Sequence, residues 1–256
     1  RARRAGASAR RQGSRHGGAM IRALTFDLDD TLWPIEPVVL RAEAELDAWL
    51  AQHCPEVAAA WPIEAMRALR TRVHADNPEL AHDFTALRKL SLAHVFEPFG
   101  HGEELVERAF EVFYAARNRV ELYPDAGPAL QRLAGRFPIA SLSNGNADLH
   151  RIGLGEYFVA TVTARTVGVG KPHPRIFERA VACLGLPAAQ VAHVGDDPLL
   201  DVQGAQRAGL VAVWLNRSGA AWPLPRPPDI EIAELGALEP ALERYAVHGA
   251  IAGGSR

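Results

Sequence analysis

The chain has 256 residues, room for one large domain or two modest ones. At 48% hydrophobic and 23% charged it has the composition of a globular protein with a full core, which excludes a collagen-like or broadly disordered chain. Lys+Arg 28 against Asp+Glu 30 leaves a formal charge of −2, so no global positive field draws nucleic acid or an anionic membrane; two distant cysteines, Cys54 and Cys183, exclude a disulfide framework and a Cys-rich zinc site.

Residues 1–19 carry six Arg, one His and no acid. Neither the apolar core of a secretion signal nor an amphipathic targeting helix is evident, so a disordered basic extension is expected there, with a nucleic-acid-binding arm as the sharper alternative. Ile21–Leu28 is a short apolar, strand-like run ending in acids. From Pro37 to about Asn118 the pattern turns helical. Val39, Ala42, Leu46, Trp49 and Leu50 share one face, as do Leu105, Val106, Ala109, Phe110 and Phe113. Breaks near Cys54-Pro55, Asn77-Pro78 and Pro98-Phe99-Gly100 divide this block into about four helices.

After Tyr123-Pro124-Asp125 strands and helices alternate. Apolar runs at Pro138–Leu142, Val159–Ala164, Val191–Val194 and Val211–Leu215 are separated by helical stretches at Ala126–Gly135, Pro174–Leu184 and Leu199–Ala208. Pro223–Pro228 reads as extended linker, followed by a last helix around Glu234–Tyr245. Buried strands alternating with helices predict an α/β fold, a Rossmann-like doubly wound parallel sheet covered on both faces. The first strand belongs with the later ones, so the helical block is an insertion. The expected organisation is an α/β core from 20–33 and 123–248, an all-helical cap at 34–122 and a flexible tail at 249–256. No run approaches the roughly 18 apolar residues of a membrane span.

Polar chemistry collects where strands end. Asp27, Asp29 and Thr31 follow the first strand, Ser143-Asn144-Gly145 another, and Gly195-Asp196-Asp197 a third. Ligands of open α/β sheets sit beyond the carboxyl ends of the strands. Asp27 and Asp29, two apart in extended chain, point the same way and repel unless a cation or a shared proton reconciles them. Mg²⁺, a hard cation taking oxygen ligands, meets that demand, with Asp196 completing the charge. Lys171, in Gly170-Lys171-Pro172 before a helix, would hold Asp27 ionised and neutralise a bound anion, while Ser143, Asn144 and the Gly145 N–H form an anion seat. A carboxylate nucleophile, Mg²⁺, a lysine and a donor cradle together describe phosphoryl transfer.

These segments resemble the haloacid dehalogenase superfamily. Its four motifs match Phe26–Leu32, Ser143–Gly145, Gly170–Pro172 and Gly195–Asp201, the last leading into Gly204–Gly209, and the family's cap falls where the helical insertion lies. The resemblance implies that Asp27 is the nucleophile forming an aspartyl-phosphate. It implies that Asp29 is the general acid/base, with its backbone carbonyl on the metal, and that Asp27, Asp29 and Asp196 bind Mg²⁺. Ser143, Asn144 and Lys171 would hold the phosphoryl oxygens, and Thr31, Asp197 and Asp201 would support them. More narrowly, Thr25–Trp33, Ser143–Ala147 and His193–Val202 resemble bacterial riboflavin-pathway phosphatases acting on 5-amino-6-(5-phospho-D-ribitylamino)uracil, FMN and small sugar phosphates. The expected partner is therefore a small-molecule phosphate monoester, with no nucleic acid and no membrane, for a cytoplasmic monomer or homodimer.

Three alternatives stand beside this reading: a phosphomutase, a non-catalytic phospho-sensing module of the same fold, and a 2-haloacid dehalogenase. The last is disfavoured because halide leaves without a proton and needs neither Asp29 nor a divalent cation. His74, Asp76, His82 and Asp83 read as solvated loop. His150, His173 and His193 read as surface, cap and strand-core residues. Phe96, Phe99, Phe110, Phe113 and Tyr114 read as cap core, with one or two members as alternatives facing substrate; Arg67, Arg70, Arg72 and Arg88 could contact an anionic substrate but read as a solvated face. Trp33 either lines the entrance or braces the hinge.

Overall fold

The computed structural model describes residues 20–253. The expected basic extension at 1–19 lies outside the described residues, as do residues 254–256. The first strand, β1 (Ala23–Phe26), leads into five helices, α1 (Ile35–His53), α2 (Pro55–Ala60), α3 (Ile63–Asp76), α4 (Phe84–Phe96) and α5 (Glu103–Arg117). There is one helix more than expected, because Trp61-Pro62 breaks the block as well as the three sites read from sequence. The alternating half follows: α6 (Ala126–Ala134), β2 (Ile139–Ser143), α7 (Leu149–Ile152), β3 (Ala160–Thr163), α8 (Ala164–Val167), α9 (Pro174–Leu184), β4 (Val191–Gly195), α10 (Gly204–Arg207), β5 (Val211–Leu215), β6 (Ile230–Ile232) and α11 (Leu238–Gly253).

The sheet is fully parallel in the order β3-β2-β1-β4-β5-β6. Every residue of β1, β2, β4 and β5 is buried, as strands covered on both faces must be. Alternation along the strands separates two cores. Leu24, Phe26, Ile139, Val194 and Val213 pack with Leu130, Leu133, Leu238 and Leu242 on one side. Ala23, Leu142, Val162, Ala212 and Trp214 pack with Ile176, Phe177 and Ala180 on the other.

The five inserted helices bury a third cluster of their own, including Leu46, Leu50, Leu87, Leu92, Phe96, Phe110 and Phe113. The expected aromatic cap core is there, with Phe99 and Tyr114 packed at its edge. Three further differences from expectation have local causes. β6 is three residues long after a proline-rich stretch, too short to show a period. The stretch expected to be helical at Leu199–Ala208 begins as a π-helical turn, Pro198–Gln203, in which the Val202 N–H reaches back to the Asp197 carbonyl. The last helix does not stop near Tyr245 but runs on to Gly253, through part of the expected tail.

Candidate active site

Strand order brings three motifs together. β1 lies between β2 and β4, so Asp27 just beyond β1, Ser143 at the end of β2 and Asp196 just beyond β4 share one edge of the sheet. The chain steps from one side of β1 to the other between β3 and β4, which makes this edge the topological switch point where such folds open a crevice.

At its base is a buried ionic network. Lys171 Nζ donates to Asp27 Oδ1 and, at 2.6 Å, to Asp201 Oδ1. Asp201 Oδ1 also takes His193 Nε2 at 3.0 Å, and Asp201 Oδ2 takes the Asp197 N–H at 3.0 Å. A carboxylate only accepts, so Nε2 carries the imidazole proton and Nδ1 accepts from Thr25 Oγ1 at 2.8 Å. Burial pushes His193 below its usual value, which keeps it neutral in this strand-core position. Burial also disfavours a charged Lys171, but Asp201 and Asp27 outweigh it and hold the ammonium above its ordinary value. Burial alone would raise Asp201; Lys171 and His193 hold it well below the carboxylate range instead. Gly195 makes room for this: a Cβ there would lie 2.3 Å from the Asp201 carboxyl carbon. The π-helical turn aims Asp201 at Lys171.

Asp27, Asp196 and Asp201 each offer a carboxylate oxygen within 4.8 Å of the others. Burial raises Asp27 well above its ordinary value, with Asp201 and Asp196 adding to the rise against Lys171. Burial, then Asp201 and Asp30, push Asp196 up to about 7. Three acids facing one ammonium leave excess negative charge. Asp201 has both oxygens engaged, whereas no group among the described residues donates to Asp27 Oδ2 or Asp196 Oδ2. Two hard oxygens with unbalanced charge suit Mg²⁺. Thr31 Oγ1 donates to Asp196 Oδ1 at 3.2 Å and so braces that carboxylate.

Asp29 differs from expectation. Its carboxylate does not join that group but turns to Arg117 Nη2, 2.7 Å from both oxygens, and to Trp33 Nε1 at 2.9 Å. The cause is a tight turn at Asp30, which adopts φ 60, a left-handed conformation aspartate tolerates. The Asp30 N–H bonds the Trp33 carbonyl and its side chain takes the Ile35 N–H, which folds the fully buried Trp33 back onto Asp29. Trp33 is thus neither an entrance residue nor a plain hinge brace. Gly145 leaves the space, since a Cβ there would lie 2.6 Å from Asp29 Oδ2.

Asn144, expected on the phosphoryl oxygens, instead brackets Lys171. Its amide accepts from the Lys171 N–H at 2.6 Å and donates to the Lys171 carbonyl at 3.0 Å. Asp197, expected beside water or Lys171, caps the π-helical turn through the N–H groups of Leu199 and Leu200, both at 2.7 Å. Ser143 accepts from the Gly145 N–H at 2.9 Å and keeps its hydroxyl proton for a ligand.

Above this floor lies a cavity of ≈ 490 Å³ roofed by the inserted helices, with Arg70, His74, Phe84, Leu87, Arg88 and Phe113 on its wall. The roof is tied down by Asn146 Nδ2 donating to Thr85 Oγ1 at 3.2 Å, by Arg165–Asp83 at 3.2 Å and by Arg117 itself. His74 and Asp83 are not solvated loop: His74 sits in α3 against Phe84, and Asp83 caps α4. Arg70 and Arg88 are not on a solvated face either. Sequence reasoning missed Arg117 altogether. It ends α5, 88 positions from Asp29, and only the fold brings the two together.

A family model for haloacid dehalogenase-like hydrolases matches residues 21–209. The chain belongs to this family. It is 32% identical over 226 residues to the 5-amino-6-(5-phospho-D-ribitylamino)uracil phosphatase YigB of Escherichia coli, covering 85% of this hydrolase and 94% of that protein. It is 32% identical over 241 residues to a phosphoserine phosphatase of Thermus thermophilus, covering 84% and 96%. Among solved structures, a 2-haloacid dehalogenase of Pseudomonas syringae pv. tomato superposes with a TM-score of 0.84 at 40% identity, covering 89% of this chain and 100% of that one. No helix among the described residues is long and apolar enough to cross a membrane.

Proposed function

We propose that this hydrolase is a Mg²⁺-dependent phosphatase of small-molecule phosphate monoesters. The observation that carries the reading is the pairing of a buried, lysine-held carboxylate, Asp27, with a second acid, Asp29, fixed two residues on by Arg117 and Trp33. The Asp27 carboxylate attacks phosphorus and forms an O–P bond as the ester P–O bond breaks, and Asp29 protonates the departing alkoxide. Asp29 then takes a proton from a water attacking the aspartyl-phosphate, whose O–P bond breaks to release phosphate and restore both acids. Lys171 and the Ser143 hydroxyl hold the phosphoryl oxygens, and Asn144 fixes the Lys171 loop. Asp27, Asp196 and the Asp29 carbonyl would hold Mg²⁺, which supplies Lewis-acid neutralisation of the phosphoryl charge.

The 40% identity to a protein named as a 2-haloacid dehalogenase favours a second reading. Against it, a departing halide needs neither a proton nor a divalent cation, so neither an acid at Asp29 nor the Asp196 carboxylate would serve that chemistry. Turnover of p-nitrophenyl phosphate and of 2-chloropropionate, each with and without chelator, separates the two. The phosphatase reading expects chelator-sensitive phosphate release and an inert haloacid; metal-independent halide release with no phosphate release would overturn it. Ribityl-pyrimidine phosphate, FMN, phosphoserine and small sugar phosphates form the substrate panel that follows.

A further inference from the structure

The roof of the cavity carries positive charge across from the acidic floor. Glu43 is already shared, since Arg67 and Arg70 each reach it at 2.6 Å, and Asp47 lines the same small recess as Glu43, Arg70 and Arg88. Arg88 stands beside this trio with no hydrogen bond or ion pair among the described residues, its guanidinium 3.7 Å above the Phe113 ring. Burial, with repulsion from Arg70, lowers Arg88 to about 9, which marks a poorly solvated cation that nevertheless stays charged at neutral pH. Arg117, the other guanidinium on the wall, is committed to Asp29. Arg70, paired with Glu43, and Arg88, which has no such pair among the described residues, thus line with His74 the same cavity as the acids of the floor.

We infer that Arg88, with Arg70 and His74, forms a second anion subsite in the roof, and that the physiological substrate is a phosphate monoester carrying a further acidic group, a carboxylate or a second phosphate. The inference rests on the phosphatase reading and narrows its substrate class. The phosphoryl group sits at the floor against Lys171 and Ser143; the second anion reaches the fork of Arg88, whose guanidinium carbon lies 3.7 Å from the centre of the Phe113 ring. An ester whose far end is neutral leaves the Arg88 guanidinium without an ion-pair partner.

The test is equilibrium binding by calorimetry to the Asp27→Asn protein, using ester pairs that differ in the second anion. 6-Phosphogluconate against sorbitol 6-phosphate reads a carboxylate, and fructose 1,6-bisphosphate against fructose 6-phosphate reads a second phosphate. At least one ester carrying the second acidic group binds about 10–100-fold tighter than its partner without it, the size of a charged hydrogen-bonded pair. Adding Arg88→Gln shrinks that preference to about threefold or less, and Arg88→Lys retains part of it. Equal affinities within both pairs overturn the subsite and leave the phosphatase reading intact. Equal weakening of both members by Arg88→Gln also overturns it, by showing a structural role only. Failure of every ester to bind overturns this inference, while the phosphatase reading stands or falls separately on p-nitrophenyl phosphate turnover.

Discussion

Replacing Lys171 by Met tests the ionic base of the site independently of turnover. The side chain is 3% exposed and its ammonium joins Asp27, 10% exposed, to Asp201, 1% exposed. Removing one partner of such a buried pair strands the others, at about 3–5 kcal/mol. In a chain of this size each kcal/mol moves the midpoint by about 2–4 °C, so Lys171→Met should melt about 6–20 °C below the parent protein at pH 7. The assay is thermal and urea unfolding in chelator, so that bound cation does not mask the charge. Without the ammonium, the folded-state values of Asp27 and Asp201 lie above their unfolded ones. The penalty is therefore present at neutral pH, fades as pH falls through those raised folded-state values, and is gone by the ordinary carboxylate range near 4. Asp201→Asn in the same chain removes one stranded charge and should recover about 1–3 kcal/mol relative to additivity. A Lys171→Met protein within about 1 kcal/mol of the parent at pH 7, with strictly additive behaviour in the double variant, would refute the reasoning.

Arg117→Gln and Trp33→Phe each free the Asp29 carboxylate; kcat on an alkyl phosphate should fall about 10–100-fold with a smaller change in KM, and an unchanged kcat in steady-state assays would contradict the holding role. Gly145→Ala drives a methyl to 2.6 Å from Asp29 Oδ2 and 3.3 Å from Ser143 Oγ, so activity should drop at least about tenfold, as misplacement by roughly 1 Å costs more than that. Glu43→Gln leaves Arg67 and Arg70 facing one another and should cost about 1–2 kcal/mol at pH 7, the partly exposed arginines keeping it small. Burial tends to raise Glu43, but Arg70 and Arg67 hold it below its ordinary value. Its contribution is thus present above the carboxylate range and lost as pH falls below it, and melts compared at neutral and acid pH should converge for the two proteins.

The sheet was legible because its strands are continuous apolar runs, and the floor because its residues sit where those runs end. Asp27, Ser143 and Asp196 meet for that reason, and Lys171 joins them from the loop between α8 and α9. What the chain order concealed is what crosses it. Arg117 ends a cap helix and reaches Asp29 only through the packing of the inserted helices over the sheet. Trp33 looked like entrance or hinge because nothing local shows that Asp30 turns left-handed and sends the indole back. Asn144 carries donors suited to phosphate, yet the adjacent Gly170 loop claims both ends of its amide. Arg70 and Arg88 lie on the polar side of their helices. A period identifies that side without telling bulk water from a cleft, and in a cap the side away from its own core can face the active site.

The most direct measurement is the fate of Asp27 itself. A single turnover of a phosphate monoester with Mg²⁺ in heavy-oxygen water, followed by acid quench and peptide mass analysis, should show a phosphoryl group on Asp27 at early times. It should later show heavy oxygen in the released phosphate, with none in the Asp27 carboxylate, because water attacks phosphorus. Heavy oxygen in Asp27, or phosphate release with Asp27 never modified, would contradict the assignment of Asp27 as the nucleophile of a phosphatase.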